Sequence, residues 1–228
     1  MYIEKRLHFL LYAIFLILSI VIGIIYIYKN IKKETNNKQI IYFFIMYLSF
    51  SIICGKMYTV LAYGKDNILT AGLSSYGGLF GVVLAAIIFE KIVPTSNIII
   101  KYTIVSLPLV YGISKIGCFI VGCCGGIPYT GIFKIKYIYG LNIWQFPIQI
   151  IESVTSLIIF FICEKFKNNK NINYIVLILV SITKFILDFL RYDHINILIT
   201  KNQIFSIIIF ILTISLYLLK KTKKIEII

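Results

Sequence analysis

"LHFLLYAIFLILSIVIGIIYIY", from Leu7 to Tyr28, runs for 22 residues without a Lys, Arg, Asp or Glu. A helix needs about 20 predominantly apolar residues to cross a bilayer core, so this segment alone is long enough to span one. It follows Glu4, Lys5 and Arg6, a charged start that superficially fits a signal peptide. The apolar run is too long for a signal core, however, and no small-residue cleavage site accompanies it. It reads as a retained transmembrane helix.

The rest of the chain repeats that pattern. Of 228 residues, 60% are hydrophobic and 14% charged, and the mean hydropathy is +0.93. A soluble domain does not need so apolar a composition. Seven spans are predicted, at about 7–28, 40–62, 76–93, 98–121, 146–164, 173–190 and 203–219, the third being short and ending near Glu90 and Lys91. The expected fold is all-α: a polytopic integral membrane protein forming a single transmembrane domain over residues 1–228, with no soluble domain and no internal repeat.

The net charge of +14, from 23 basic against 9 acidic residues, could suggest a nucleic-acid partner in a soluble chain. Here the cations cluster in short loops between apolar runs, which is the mark of topology rather than of nucleic-acid binding. Thirteen fall on one side: Lys29, Lys32, Lys33, Lys38, Lys91, Lys101, Lys165, Lys167, Lys170, Lys220, Lys221, Lys223 and Lys224. Eight fall on the other (Lys5, Arg6, Lys65, Lys115, Lys134, Lys136, Arg191 and Lys201), with Lys56 and Lys184 inside spans. Short cationic loops stay cytoplasmic, so the amino terminus is expected outside and the carboxyl terminus inside.

With that orientation, four polar segments reach the outer face. They are "GLSSYGGLFG" (Gly72–Gly81), "SKIGCFIVGCCGG" (Ser114–Gly126), "WQFPIQIIES" (Trp144–Ser153) and "TKFILDFLRYD" (Thr183–Asp193). In the last, Lys184, Asp188 and Arg191 stand at i, i+4 and i+7, one stripe of a helix. Charge within a span faces a cavity or a partner. Both a functional cationic pocket and an ion-paired helix end that snorkels to the interface fit the stripe.

In "FPIQIIE", Pro147 suits a first helical turn, and Gln149 and Glu152 form a polar stripe at i and i+3. Substrate contact and a bond to another helix, for instance to Lys184, explain the stripe equally well. Gly77 and Gly78 after Ser74, Ser75 and Tyr76 fit either close helix packing or approach of an anionic headgroup to free helix amides. Cys118, Cys123 and Cys124 form a Cys-x4-Cys-Cys pattern. Structural zinc sites usually show two separated pairs, and the chain's other nitrogen ligands are only His8 and His194, so no metal is expected. Small apolar packing, an outward disulfide, or a thiolate beside Lys115 remain open for these thiols.

Together the four segments resemble the prolipoprotein diacylglyceryl transferase family. That family starts its third span with Gly-Met-Ser-Phe-His-Gly-Gly-Leu-Ile-Gly, similar to "GLSSYGGLFG" with Tyr76 in the place of histidine. Its signature Gly-Arg-x-Gly-Asn-Phe-x-Asn-x-Glu-x-x-Gly resembles "SKIGCFIVGCCGG", where Gly117, Phe119 and Gly126 are kept. Lys115 replaces the arginine that contacts phospholipid, Cys118 and Val121 the two asparagines, and Cys123 the glutamate. Pro147, Gln149 and Glu152 match the fifth-span motif, with Phe146 and Ile151 replacing its His and Tyr. Lys184 and Asp188 stand for an arginine and a glutamate, Arg191 matches the second arginine, and "GKMYTVLAY" from Gly55 is similar to a second-span Gly-Arg-x-x-Tyr-Val.

The resemblance implies a bacterial cell-membrane enzyme, without cofactor, that moves diacylglyceryl from phosphatidylglycerol to the lipobox cysteine in a preprolipoprotein signal peptide. Its partners would be these two and the surrounding membrane lipids, with no nucleic acid. By position, Tyr76, Lys184 and Asp188 are the expected catalytic residues. Lys115, Gly117, Cys118, Gly126 and Arg191 are expected at the phospholipid, supported by Gln149 and Glu152. The substitutions keep the cations and one carboxylate but lose specific hydrogen-bonding groups. Lysine lacks the bidentate fork of arginine, and a tyrosine of ordinary pKa about 10 is a poor substitute for histidine as proton acceptor. A divergent relative that binds lipid, or transfers it to another acceptor, is the alternative.

Overall fold

A computed structural model describes residues 2–64, 67–95, 97–137 and 142–223. Among them are seven α-helices: α1 (Tyr2–Ile31), α2 (Asn37–Tyr63), α3 (Ser75–Ile92), α4 (Ile98–Val121), α5 (Ile148–Lys165), α6 (Ile172–Asp188) and α7 (Lys201–Lys223). A single 3-10 turn, Tyr192–His194, lies between the last two. No strand occurs among the described residues, only isolated bridges such as Gly126 with Arg191.

The seven expected spans therefore appear as helices, but five of them are long and apolar enough to cross a membrane: Leu10–Ile31, Asn37–Tyr63, Ser75–Ile92, Ile98–Val121 and Lys201–Thr222. Helix α5 carries Glu152, Glu164 and Lys165 within 18 residues, and α6 has only 17 residues. At 1.5 Å per residue, α6 is about 26 Å long against a hydrocarbon core of about 30 Å. The helices are clad in exposed apolar side chains such as Ile17, Ile52, Leu61, Ile158 and Ile211, while many polar residues are buried inside. A polytopic membrane protein has this inverted dressing, because lipid is the solvent.

The chain divides into two compact units, Gly23–Leu107 and Met1–Ile22 with Pro108–Ile227. The borders fall within α1 at Gly23 and within α4 at Pro108. These are residue types that weaken a helix, proline by removing an amide donor.

In the unit Gly23–Leu107, α2 starts at a capping box in which Asn36 and Gln39 bond each other's backbone region, and ends on left-handed Gly64 (φ 64°). Helix α3 packs on α2 through glycine. A Cβ on Gly77 would fall on the Cys54 carbonyl, and one on Gly81 on the Phe50 carbonyl. Of the two readings of the Gly72–Gly81 segment, small-residue helix packing therefore accounts for these glycines. Glu90 at the end of α3 turns back and accepts hydrogen bonds from the Thr95 amide and hydroxyl and from the Asn97 amide at 2.8 Å, so it closes a turn.

In the other unit, α7 packs on α6 and α6 on α5. Gly112 of α4 allows α5 close, since a Cβ there would meet Leu157 and the Ser153 carbonyl; the Ser153 hydroxyl donates back to the Gly112 carbonyl at 2.7 Å. Three helices thus bring the polar residues of α4, α5 and α6 together.

Candidate functional site

Tyr111 and Lys115 are one turn apart on α4 and share a face. Glu152 of α5 engages both: its Oε2 pairs with Lys115 Nζ at 2.7 Å, and its Oε1 accepts from the Tyr111 hydroxyl at 2.8 Å. From α6, the Lys184 ammonium lies 3.4 Å from the Tyr111 ring centroid, while Lys115 lies 5.1 Å from it. One ring thus presents its negative face to two cations, and Glu152 anchors both the ring and one of those cations. The stripe on α5 therefore makes an ion pair with another helix, but with Lys115 of α4.

Asp188 closes α6. It accepts from the Thr200 hydroxyl, and Arg191 Nη1 stands 3.5 Å from its other oxygen. Thr200 is itself fixed by a reciprocal cap on α7, with its amide donating to Gln203 Oε1 at 3.0 Å and the Gln203 amide donating to its hydroxyl at 3.1 Å.

Arg191 does not reach the site along the expected helical stripe. The amides of Phe189, Leu190 and Arg191 bond three residues back, which tightens and ends the helix; Arg191 itself is extended (φ −91°, ψ 148°). It is held instead by an antiparallel bridge to Gly126, with Ile127 N–H to Leu190 O at 3.0 Å and Tyr192 N–H to Gly125 O at 3.0 Å. That bridge ties the end of α6 to the loop after α4. Its Nε has no hydrogen-bond partner among the described residues.

The cysteines occupy the same end of α4. Gly122 and Cys124 adopt left-handed backbone (φ 76° and 56°), a conformation rare outside glycine. The resulting curl brings the sulfurs of Cys118, Cys123 and Cys124 within 4.8 Å of one another, and all three are free thiols. Gln149 fixes the loop by donating from Nε2 to the Cys123 carbonyl at 2.8 Å, while its Oε1 accepts from the Tyr137 hydroxyl at 2.8 Å. Hydrogen bonds with Cys118 and Cys123, helped by the charges of Lys115 and Arg191, hold the Cys124 thiol well below the usual range. Cys123, bonded to its two neighbours, is pushed correspondingly up.

Gly117 and Gly126 are accounted for by close packing. A Cβ on Gly117 would strike Phe15 of α1, and one on Gly126 the Phe146 carbonyl. They shape the frame that carries Lys115 and Arg191.

A family model described as prolipoprotein diacylglyceryl transferase matches residues 1–219. The chain belongs to this family. A search of curated proteins finds no match. Membership points to a multi-pass membrane transferase of lipoprotein biosynthesis, whose kind acts on lipoprotein precursors with a lipid donor.

Of the positions singled out by resemblance to the prolipoprotein diacylglyceryl transferases, Lys115, Cys118, Gly126, Gln149, Glu152, Lys184, Asp188 and Arg191 are built into the linked network just described. Gly117 lies one turn before Val121, against α1. Tyr76 belongs to the unit Gly23–Leu107, where its ring stacks on Tyr58 at 6.0 Å between centroids. The similar "GKMYTVLAY" segment serves that unit too, since Lys56 Nζ donates to the Ile68 and Leu69 carbonyls at 3.2 and 2.7 Å.

Sequence reasoning missed Tyr111, Thr200, Gln203 and Tyr137. Three had a visible signal: Thr200-Lys-Asn-Gln203 before an apolar run is a capping box, and Tyr111 sits four residues before Lys115. Tyr137 carries no such signal, since nothing in its neighbourhood indicates that it will meet Gln149.

Proposed function

We propose that this family member transfers the diacylglyceryl group of phosphatidylglycerol to the lipobox cysteine thiol of a preprolipoprotein, in a bacterial cell membrane with its amino terminus outside. The observation that supports this most is a buried cluster of basic side chains around Arg191. Lys115, Lys184 and Arg191 face Glu152 and Asp188, and none of the five is more than 7% exposed. Glu152 bridges Lys115 and Tyr111, Asp188 pairs with Arg191, and the Arg191 Nε has no hydrogen-bond partner among the described residues. A buried guanidinium donor needs an acceptor, and a phosphodiester oxygen of the donor lipid supplies one.

In this reading Arg191, with an uncommitted Nε, grips the phosphate, and Lys115 adds charge from its pair with Glu152. As the C–O bond to the glyceryl carbon breaks, both cations stabilise the developing phosphate dianion. Lys184 and Asp188 act at the reacting atoms, Asp188 as a proton acceptor. Cys118 and the Gly117 and Gly126 backbone wall the lipid site, and Gln149 holds that wall in place.

The test is a transfer assay. Membranes carrying the protein, given phosphatidylglycerol and a lipobox peptide, should yield the peptide thioether by mass spectrometry, and Arg191→Ala should reduce its rate at least tenfold. Absence of product where a standard family member works would overturn the proposal.

One observation favours the alternative of a lipid-binding relative without this transfer. The Tyr76 ring is engaged with Tyr58, and a phenol is a weak base at neutral pH. Phosphatidylglycerol binding that Arg191→Ala abolishes, with no turnover of any thiol acceptor, would establish that alternative.

A further inference from the structure

Cys118 and Cys123 depart from the family frame, Cys124 stands at one of its unspecified positions, and the geometry of the three is more specific than packing requires. Their sulfurs lie within 4.8 Å of one another. A tetrahedral zinc ion with bonds of about 2.3 Å places its sulfur ligands about 3.8 Å apart, within about 1 Å of the spacing found here. The loop is already fixed by the Gln149 bond to the Cys123 carbonyl and by the Gly126 bridge to Arg191. Cys118 and Cys123 are half-buried, whereas Cys124 is exposed. Three sulfurs with one open side differ from the four-ligand structural zinc pattern that the sequence lacks. They match a reactive site, where three protein ligands leave one position for water or substrate.

We propose that Cys118, Cys123 and Cys124 bind a thiophilic divalent ion of the zinc class, and that its fourth position takes the acceptor cysteine thiol. The second clause rests on the transferase reading; the first does not. On coordination the acceptor thiol gives its proton to Asp188, the proton acceptor assigned above, and becomes a metal-bound thiolate. Its sulfur attacks the glyceryl carbon that carries the phosphodiester. A C–S bond forms while the C–O bond breaks, and the electron pair of that bond leaves with glycerol phosphate. The thioether sulfur is neutral and a weaker ligand, so it departs and frees the position. Nothing is oxidised or reduced. The ion thereby lowers the acceptor thiol's pKa, a task for which Tyr76 is ill suited.

The full chain, purified in detergent under reducing conditions from zinc-supplied cells, should contain one zinc ion per molecule by elemental mass spectrometry. Metal-depleted protein titrated with Co(II) should show thiolate charge-transfer absorption for three sulfurs. That spectrum should change on adding a lipobox peptide and stay unchanged with its serine analogue. Cys118→Ser, Cys123→Ser and Cys124→Ser should each weaken Co(II) binding at least tenfold while thermal melting confirms that the variants fold. Folded protein without metal, binding unaffected by the serine variants, or a native disulfide between Cys118 and either neighbour would overturn the metal site. Metal-free protein that transfers at the full rate would overturn the assigned fourth ligand and leave the transferase reading standing. Bound metal in a protein without transfer would overturn the transferase reading and leave the metal site standing.

Discussion

Glu152 Oε2 lies 2.7 Å from Lys115 Nζ, an ion pair between α5 and α4 whose side chains are 6% and 2% exposed. Removing one partner of such a pair strands the other in a dry interior, at about 3–5 kcal/mol, whereas replacing both with apolar groups is close to neutral. Glu152→Leu should therefore lower the melting temperature in detergent far more than Glu152→Leu with Lys115→Met. Equal losses in the single and double variants would show that the pair is not the element that matters.

Tyr111 carries two separable interactions, a hydroxyl bond to Glu152 at 2.8 Å and a ring beneath Lys184 at 3.4 Å. Tyr111→Phe removes the first, leaving Glu152 short of a donor, for about 1–3 kcal/mol. Tyr111→Leu also removes the ring, worth about 2 kcal/mol for a desolvated cation. Melting temperatures should fall in the order parent, Phe, Leu. A Leu variant as stable as the Phe variant would count against the ring contact.

The bridge between Gly126 and Arg191 leaves no room for a side chain at 126, since a Cβ would fall on the Phe146 carbonyl. Gly126→Ala should destabilise by about 1–3 kcal/mol, the usual range for forced overpacking, and displace Arg191. Gly72→Ala is the control, because nothing lies within 4 Å of a Cβ there. Thermal melts of the two variants separate a site-specific effect from a general intolerance of added methyl groups.

Much of this architecture was legible in the chain. Long uncharged runs such as Leu7–Tyr28 mark helices because lipid tolerates no unsatisfied backbone, and all seven appear. What the runs do not encode is thickness: α6 stops at Asp188, where three-residue bonds end it, so a stripe expected to include Arg191 breaks before reaching it. Arg191 joins the site through Gly126 instead, a pairing between residues 65 positions apart for which neither local segment carries a period. Similarly, Lys115, Glu152 and Lys184 were readable as cations and a carboxylate on one face. Which lysine takes the carboxylate depends on the approach of α5 to α4 at Gly112. The Cys118, Cys123 and Cys124 spacing does not reveal a shared centre, because left-handed Cys124 creates it.

That centre has a titration of its own in the metal-free protein. Thiol hydrogen bonds from Cys118 and Cys123, and then the charges of Lys115 and Arg191, hold Cys124 below its ordinary range, while an unfolded cysteine titrates near 8.5 or about that value. A depressed acid favours the folded state once both forms are ionised. This stabilisation is fully present above the unfolded value and is lost as pH falls through the folded one. Iodoacetamide reacts with thiolate, so Cys124 should keep reacting at pH values where an ordinary thiol has slowed, with Cys123 protected. Cys118→Ala removes the largest cause, and Arg191→Ala one of the smaller ones, so both should move the midpoint upward, the first by more. Peptide mapping of the alkylated protein measures each site, and a Cys124 midpoint at the ordinary thiol value would show that the three sulfurs do not share charge.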